Sequence, residues 1–425
     1  MESPCPRSAS CTRPVSTPSA EPAGTQIMTT DRSSQPSHPF DARTRLFLDR
    51  PQSRKWSLHP GRIGAWVAEM DFGVAPEIAE ALHRAIDDEN LGYLSPPQAA
   101  ELGEATAEWM QDEYGWAVDP ERVHPVSDVM AALGVAVQEY APAGSPVIVP
   151  TPAYMPFLTY LPAIGHPVIE VPGVEIDGRW QHDLQRIDEA FAAGARTLVL
   201  CNPHNPTGTI VGREELEAIA EIVERHGGRV FADEIHAPLR YDGAPFVPYA
   251  SVSAATAAHT VTGTSASKAW NIPGLKTAQL ITSNDADQQL YKRFGFAVQH
   301  GAATLGVVAS TAAYRAGKPW LTEVIAYLDG SRLELARLVD EHLPGAVYRV
   351  PEATYIGWID TSTLGIPEPP AEFFRERAGV VLTEGRLLGR GAEGHVRVVF
   401  ATPRPILEEA FVAMGDAVRR AGLRV

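Results

Sequence analysis

A single lysine, Lys268, stands among small residues in Thr262-Gly-Thr-Ser-Ala-Ser-Lys-Ala-Trp-Asn271. Small neighbours leave room for a bulky ligand. Desolvation disfavours an ammonium, so a lysine in such a pocket loses its proton at moderate cost and can attack a carbonyl to form a Schiff base. A lone Ser-x-Lys is more simply a solvated loop. Here two further features accompany it. Asn205 lies in Asn202-Pro-His-Asn-Pro-Thr-Gly208, a stiff turn whose prolines and glycine fix the orientation of an amide. Asp233, in Ala232-Asp-Glu-Ile-His236, is a carboxylate able to hold a proton on a heteroaromatic nitrogen. Taken singly, Asn205 is a turn residue and Asp233 a helix cap or an ion-pair partner.

The elements around these residues give them a common place. Arg196 to Asn202 reads as a strand, Arg213 to His226 as a helix with Leu216, Ile219, Ala220 and Val223 on one face, and Arg229 to Asp233 as the next strand. A right-handed β-α-β crossover puts both strands in one parallel sheet with their carboxyl ends on the same rim, where open α/β sheets bind ligands. Short strands and amphipathic stretches alternate from about residue 71 to residue 320. Beyond 321 the pattern changes to a long helix (Glu323 to His342), strands near Tyr348 and Val396, and a terminal helix from Pro405 to Ala421.

In this order and together, Asn205, Asp233 and Lys268 resemble the pyridoxal-phosphate enzymes of fold type I, the aspartate aminotransferase superfamily. The resemblance implies a large α/β/α domain with a mostly parallel central sheet and a smaller α+β domain. It also implies that Lys268 carries the cofactor, Asp233 pairs with the ring nitrogen and Asn205 hydrogen-bonds the ring hydroxyl. His236 stands where many aminotransferases place a tyrosine that helps hold the ring oxygen; a structural histidine is an equal reading. Ser265 and Lys276 match phosphate-binding positions, the second more often arginine. Ser127-Asp-Val-Met130 precedes an apolar helix expected over Ala131 to Tyr140, so the N–H groups of Val129 and Met130 are expected to complete the anion site. Tyr93 matches a tyrosine that reaches the phosphate of a neighbouring subunit, which implies a homodimer. Tyr154 matches the aromatic that stacks on the ring, and it could also help position the lysine. Arg397 matches the arginine that grips the substrate's α-carboxylate through a bidentate fork, with Arg404 as a weaker candidate.

Five stretches narrow the resemblance: Trp66-Val-Ala-Glu-Met-Asp-Phe72, Asn202 to Gly208, Asp233 to His236, Glu352-Ala-Thr-Tyr-Ile-Gly-Trp358 and Val398 to Arg404. They are similar to the MalY/PatB type of cystathionine β-lyase, or C–S lyase, with Glu69 where aspartate is usual. That similarity implies α,β-elimination of L-cystathionine or related cysteine thioethers to thiol, pyruvate and ammonia. An aminotransferase using the same three residues is the alternative. A non-catalytic regulator built on the same scaffold is the more distant one.

Composition bounds the rest. The chain has 425 residues with 44% hydrophobic and 21% charged, ordinary globular values, and no run of about 18 apolar residues. No membrane span is expected. A net charge of -16 repels phosphate polymers, which argues against nucleic acid as a partner. Cys5, Cys11 and Cys201 are too few and too scattered for a disulfide framework or a four-ligand zinc site, so no metal is expected and a reducing, cytoplasmic setting fits. Cys201 itself reads as a buried strand residue. Residues 1–39 hold seven prolines and few large apolar side chains and are expected to be a disordered tail, with Met28 a candidate native start. The expected division is then 40–70 as a segment joining the small domain, 71–320 as the large cofactor domain and 321–425 as the small domain.

Overall fold

The computed structural model describes residues 38–241 and 243–423. The expected tail and the candidate start at Met28 lie outside these, apart from His38 and Pro39. Pro39 opens a short 3-10 turn, Pro39–Ala42, whose Phe40 is buried against Phe72 and Tyr327.

Seven strands form the central sheet: β1 (Val123–Val126), β2 (Val147–Thr151), β3 (Val168–Pro172), β4 (Thr197–Cys201), β5 (Arg229–Asp233), β6 (Thr260–Thr264) and β7 (Ala278–Thr282). Their spatial order is β1-β7-β6-β5-β4-β2-β3. Strands β3, β2, β4, β5 and β6 pair in parallel, and only β7 runs antiparallel to its neighbours. The inner strands read as apolar, β-branched runs such as Thr-Leu-Val-Leu-Cys because helices cover both faces of the sheet, leaving no solvated side to alternate toward. Cys201 sits opposite Asp233 and Asp233 opposite Gly263, so β4, β5 and β6 end level. The α/β sheet and its shared rim agree with the sequence reading.

Among the helices, α1 (Pro76–Asp87), α2 (Pro96–Tyr114), α3 (Val129–Glu139), α4 (Arg213–Arg225), α5 (Thr304–Ala316), α6 (Lys318–His342) and α7 (Arg404–Arg420) matter here. Helix α7 begins one residue before its expected start, and two others begin earlier still. Helix α3 starts at Val129, because the extended Asp128 caps it, its carboxylate accepting the Ala131 N–H at 2.8 Å. Helix α6 starts at Lys318, since Pro319 falls in the first turn, where a missing N–H costs no hydrogen bond. The boundary expected near residue 320 therefore falls inside α6.

A second, antiparallel sheet contains β8 (Val347–Tyr348), β9 (Ile356–Asp360), β10 (Thr383–Glu384) and β11 (His395–Val399), in the order β8-β9-β11-β10. The segment preceding α1 joins this part of the chain: Ile63–Gly64 pairs in parallel with Val380–Val381, and Phe40, Trp56, Met70 and Phe72 share one core with Tyr327, Val396 and Phe400. Each large apolar side chain so buried contributes about 1.5–3 kcal/mol. Such anchors hold in place a stretch with little regular secondary structure, and that stretch runs on into the site.

Candidate active site

Lys268 follows β6 by four residues and lies where two cavities meet. The inner cavity, about 220 Å³, lies over the level ends of β4 and β5 and is lined by Asn205, Asp233, His236, Tyr154, Lys268 and the start of α3. The outer one, about 540 Å³, shares Tyr154 and Lys268 and adds Arg397. Around the inner cavity, the structure thus gathers Lys268, Asp233, Asn205, His236, Tyr154, Lys276, Val129 and Met130. Two predicted residues stand apart. Ser265 is buried, donating to Thr277 O at 2.8 Å and accepting from Ser267 N at 3.0 Å, and it is Ser267 that reaches the cavity. Tyr93 is 86% exposed, beside His300, on a surface that meets the cavity at Lys276.

The electrostatics follow from burial. Withdrawal from water lowers the Lys268 ammonium to about 8, with Arg397 adding to the effect and Glu69 and Asp233 opposing it. Its Nζ donates to Ala68 O at 3.2 Å. Burial pushes the Asp233 carboxyl up to about 6, against the Ile235 N–H and the charge of Lys268. Only one hydrogen bond, from Ile235 N at 3.2 Å, reaches this carboxylate among the described residues. Burial, then Lys268 and Arg397, hold the His236 imidazole down to about 3, so it is neutral at pH 7, and its Nδ1 has no protein partner. Burial also raises the Tyr154 phenol, which stays protonated.

Arg397, on β11, is 3% exposed. It donates from Nη2 to Trp66 O at 3.0 Å and Thr383 Oγ1 at 3.3 Å, and from Nη1 to Asn205 Oδ1 at 3.3 Å, leaving Nε without a partner. Burial lowers it to about 10, so it keeps its charge at neutral pH. The competing Arg404 is committed elsewhere, to Tyr327 O and Ser331 Oγ, with its guanidinium over the Tyr327 ring. Lys276 pairs with Asp128, placing a cation beside the N-terminal end of α3. Cys201 is buried in β4 and its thiol pushed well up by desolvation, which removes it as a nucleophile.

The family model described as aminotransferase class I and II matches residues 67–413. The chain belongs to that family. It is 37% identical over 363 residues to a protein named cystathionine beta-lyase from Corynebacterium glutamicum, spanning 85% of this chain and 95% of that one. It is 33% identical over 359 residues to cystathionine beta-lyase PatB of Bacillus subtilis, spanning 82% and 92%. Among solved structures, the PLP-bound C-S lyase from Staphylococcus hominis superposes with a TM-score of 0.82 at 27% identity, covering 90% of this chain and 99% of that one.

The inner cavity fits the pyridoxal phosphate that the family resemblance implies. A carboxylate with a single hydrogen bond, an orphaned neutral imidazole nitrogen, a lowered lysine and a helix N-terminus beside a cation are the groups that a ring nitrogen, a ring oxygen, an aldehyde and a phosphate require. Three contributors to the site went unassigned in the sequence. Tyr355 donates its hydroxyl to Ala68 O at 3.0 Å, Thr383 contacts Arg397, and Asn271 clamps the strand-less segment by accepting from Met70 N and donating to Met70 O and Gly73 O at 2.8–2.9 Å. Asn271 has φ of 57°, and a left-handed asparagine just after the lysine motif is the one signal that could have marked it.

Proposed function

We propose that this chain is a pyridoxal-phosphate-dependent carbon–sulfur β-lyase that converts L-cystathionine or related cysteine thioethers into thiol, pyruvate and ammonia. The observation that carries the reading is Lys268 at the junction of two cavities, one furnished for the cofactor and one bearing the buried Arg397. When bound, the cofactor supplies an electron sink for charge developing at the substrate's α-carbon. Asp233 would hold a proton on the ring nitrogen. Asn205 and His236 would hold the ring oxygen, Tyr154 would pack on the ring and help position the lysine, and Lys276 with the N–H groups of Val129 and Met130 would receive the phosphate. Arg397 orients the α-carboxylate. Lys268 Nζ, neutral above about pH 8, takes the α-proton as general base. The bond between β-carbon and sulfur then breaks, the thiolate leaves with a proton, and water converts the remaining fragment to pyruvate and ammonia.

The same reading includes a cytoplasmic homodimer in which Tyr93 reaches the phosphate of the neighbouring subunit. Its support is the exposed group of Tyr93, Phe296 and Leu91 next to Lys276. Residues 40–70 with 321–425 would form the small domain, and 71–320 the large one.

The deciding assay supplies L-cystathionine and no keto acid. Pyruvate and homocysteine accumulating over many turnovers per site are expected. A single stoichiometric half-reaction would instead identify an aminotransferase.

A further inference from the structure

The outer cavity is larger than the amino-acid head that Lys268 and Arg397 would hold, and its remaining wall carries its own chemistry. Trp66, Val381, Leu382 and Leu387 give it an apolar lining, and Arg54, Arg386 and Glu384 give it charge. These residues connect directly to Arg397. Trp66, whose carbonyl accepts from Arg397, lies under the Arg54 guanidinium at 6.0 Å; Thr383, whose hydroxyl also accepts from Arg397, is followed at once by Glu384 and then by Arg386 in the turn Gly385–Leu388.

The two guanidiniums are the informative feature. Arg375, in the same cavity, is occupied by Glu376 at 2.7 Å and Glu372 at 3.8 Å. Arg54 and Arg386 make no ion pair among the described residues, although the chain carries 52 acidic against 36 basic residues. The Arg386 guanidinium is felt electrostatically by Glu384 without forming an ion pair with it, the contact between the two residues being through the Arg386 backbone N–H. Glu384 accepts from Ala371 N at 3.0 Å through Oε2 and also receives the Arg386 backbone N–H, while its side chain makes no ion pair among the described residues. A guanidinium presents a planar fork matched to a carboxylate, and the apolar side chains that line the same cavity suit methylene and thioether groups.

We infer that the outer cavity selects thioethers whose sulfur carries a second, carboxylate-bearing arm, with Arg54 and Arg386 as the specificity-determining pair and Glu384 receiving the arm's ammonium where it has one. The inference rests on the β-lyase reading and names the substrate class within it. The α-carboxylate goes to Arg397 and the distal carboxylate to the unpaired pair, so a double-headed amino acid is held at both ends. An uncharged arm gains only the apolar contact.

The test compares L-cystathionine with S-propyl-L-cysteine, which keeps the sulfur and loses the distal head, on the cofactor-loaded enzyme and on an Arg54→Ala/Arg386→Ala double variant. The wild type is expected to favour L-cystathionine in kcat/KM. The double variant should lose about tenfold to a hundredfold on it, mostly in KM, with less than about a twofold change on S-propyl-L-cysteine. Retained cleavage of the propyl substrate shows that the variant is folded and loaded. Arg386→Glu supplies a charge-reversal check: S-(2-aminoethyl)-L-cysteine should gain relative to L-cystathionine. Equal losses on both substrates, or a wild type indifferent to the distal head, would overturn the assignment while leaving the β-lyase reading intact. Failure of the wild type to cleave either thioether would remove both.

Discussion

Lys55 and Lys268 donate to neighbouring carbonyls of one segment, Lys55 to Glu69 O and Lys268 to Ala68 O, each at 3.2 Å. What separates them is a carboxylate. Lys55 is 1% exposed and meets Asp71 Oδ2 at 2.7 Å, while Asp71 Oδ1 accepts from Trp56 Nε1 at 3.0 Å. Every charge in that group has a partner, so the lysine acts as a strut that fixes the segment running past the site. Lys268 meets no carboxylate within ion-pair distance among the described residues; Glu69 and Asp233 act on it only from farther off, and burial prevails. An ammonium left without compensation gives up its proton near neutral pH, which is the condition for a nucleophile and base. The same side chain, reaching the same segment, is fully compensated in one place and left without a carboxylate partner in the other.

The largest expected effect separates the two directly. Lys268→Ala should lower kcat for thioether cleavage by about 10²–10⁴-fold or more, the loss of a positioned general base, while the folded protein survives. Lys55→Ala, assayed at equal folded concentration, should change kcat far less. Comparable kcat losses would erase the distinction. The second effect is on stability. Asp71→Ala or Lys55→Met alone leaves a charge buried and should cost about 3–5 kcal/mol, read as a fall in the urea midpoint of the cofactor-free protein, whereas Lys55→Met with Asp71→Leu should recover most of it. A double variant as weak as either single one would mean that the pair is not a unit.

Only one side of this contrast was legible in the sequence. Asn205, Asp233 and Lys268 each sit within a few residues of a strand end, so local patterning and one crossover rule place them on a common rim. Lys55 and Asp71 are 16 residues apart in a stretch with almost no regular structure, and no periodicity links them. The Ala68 and Trp66 carbonyls reach Lys268 and Arg397 across 200 and 331 positions, and backbone acceptors leave no mark on residue type. Ser265 shows the converse. Its type suited a phosphate, but its hydroxyl is turned to Thr277 O, an orientation set by packing between β6 and the strand that follows the loop. Arg397 and Arg404 looked alike as guanidiniums; strand β11 turns the first into the cavity, and the second lies at the start of α7 against α6.

The smallest effect concerns what the missing carboxylate costs the fold. In the cofactor-free protein, Lys268 is held down to about 8 from an ordinary value near 10.5, so the folded state resists the charge that the unfolded chain accepts freely. Below about pH 8 both states are protonated and the folded protein bears the whole penalty. Between there and about pH 10.4 the unfolded chain binds more protons, so this contribution makes stability rise with pH, and above that range the penalty is gone. Lys268→Met removes the charge at every pH. The variant should therefore be more stable than the wild type at pH 7 by roughly 1–3 kcal/mol, the lower part of the range reflecting water in the adjoining cavities. That advantage should narrow steadily as pH rises from 8 toward 10. Thermal unfolding of both cofactor-free proteins across this range reads the difference. A constant gap would assign it to packing by the methionine, and the unpaired charge of Lys268 would then cost the fold nothing.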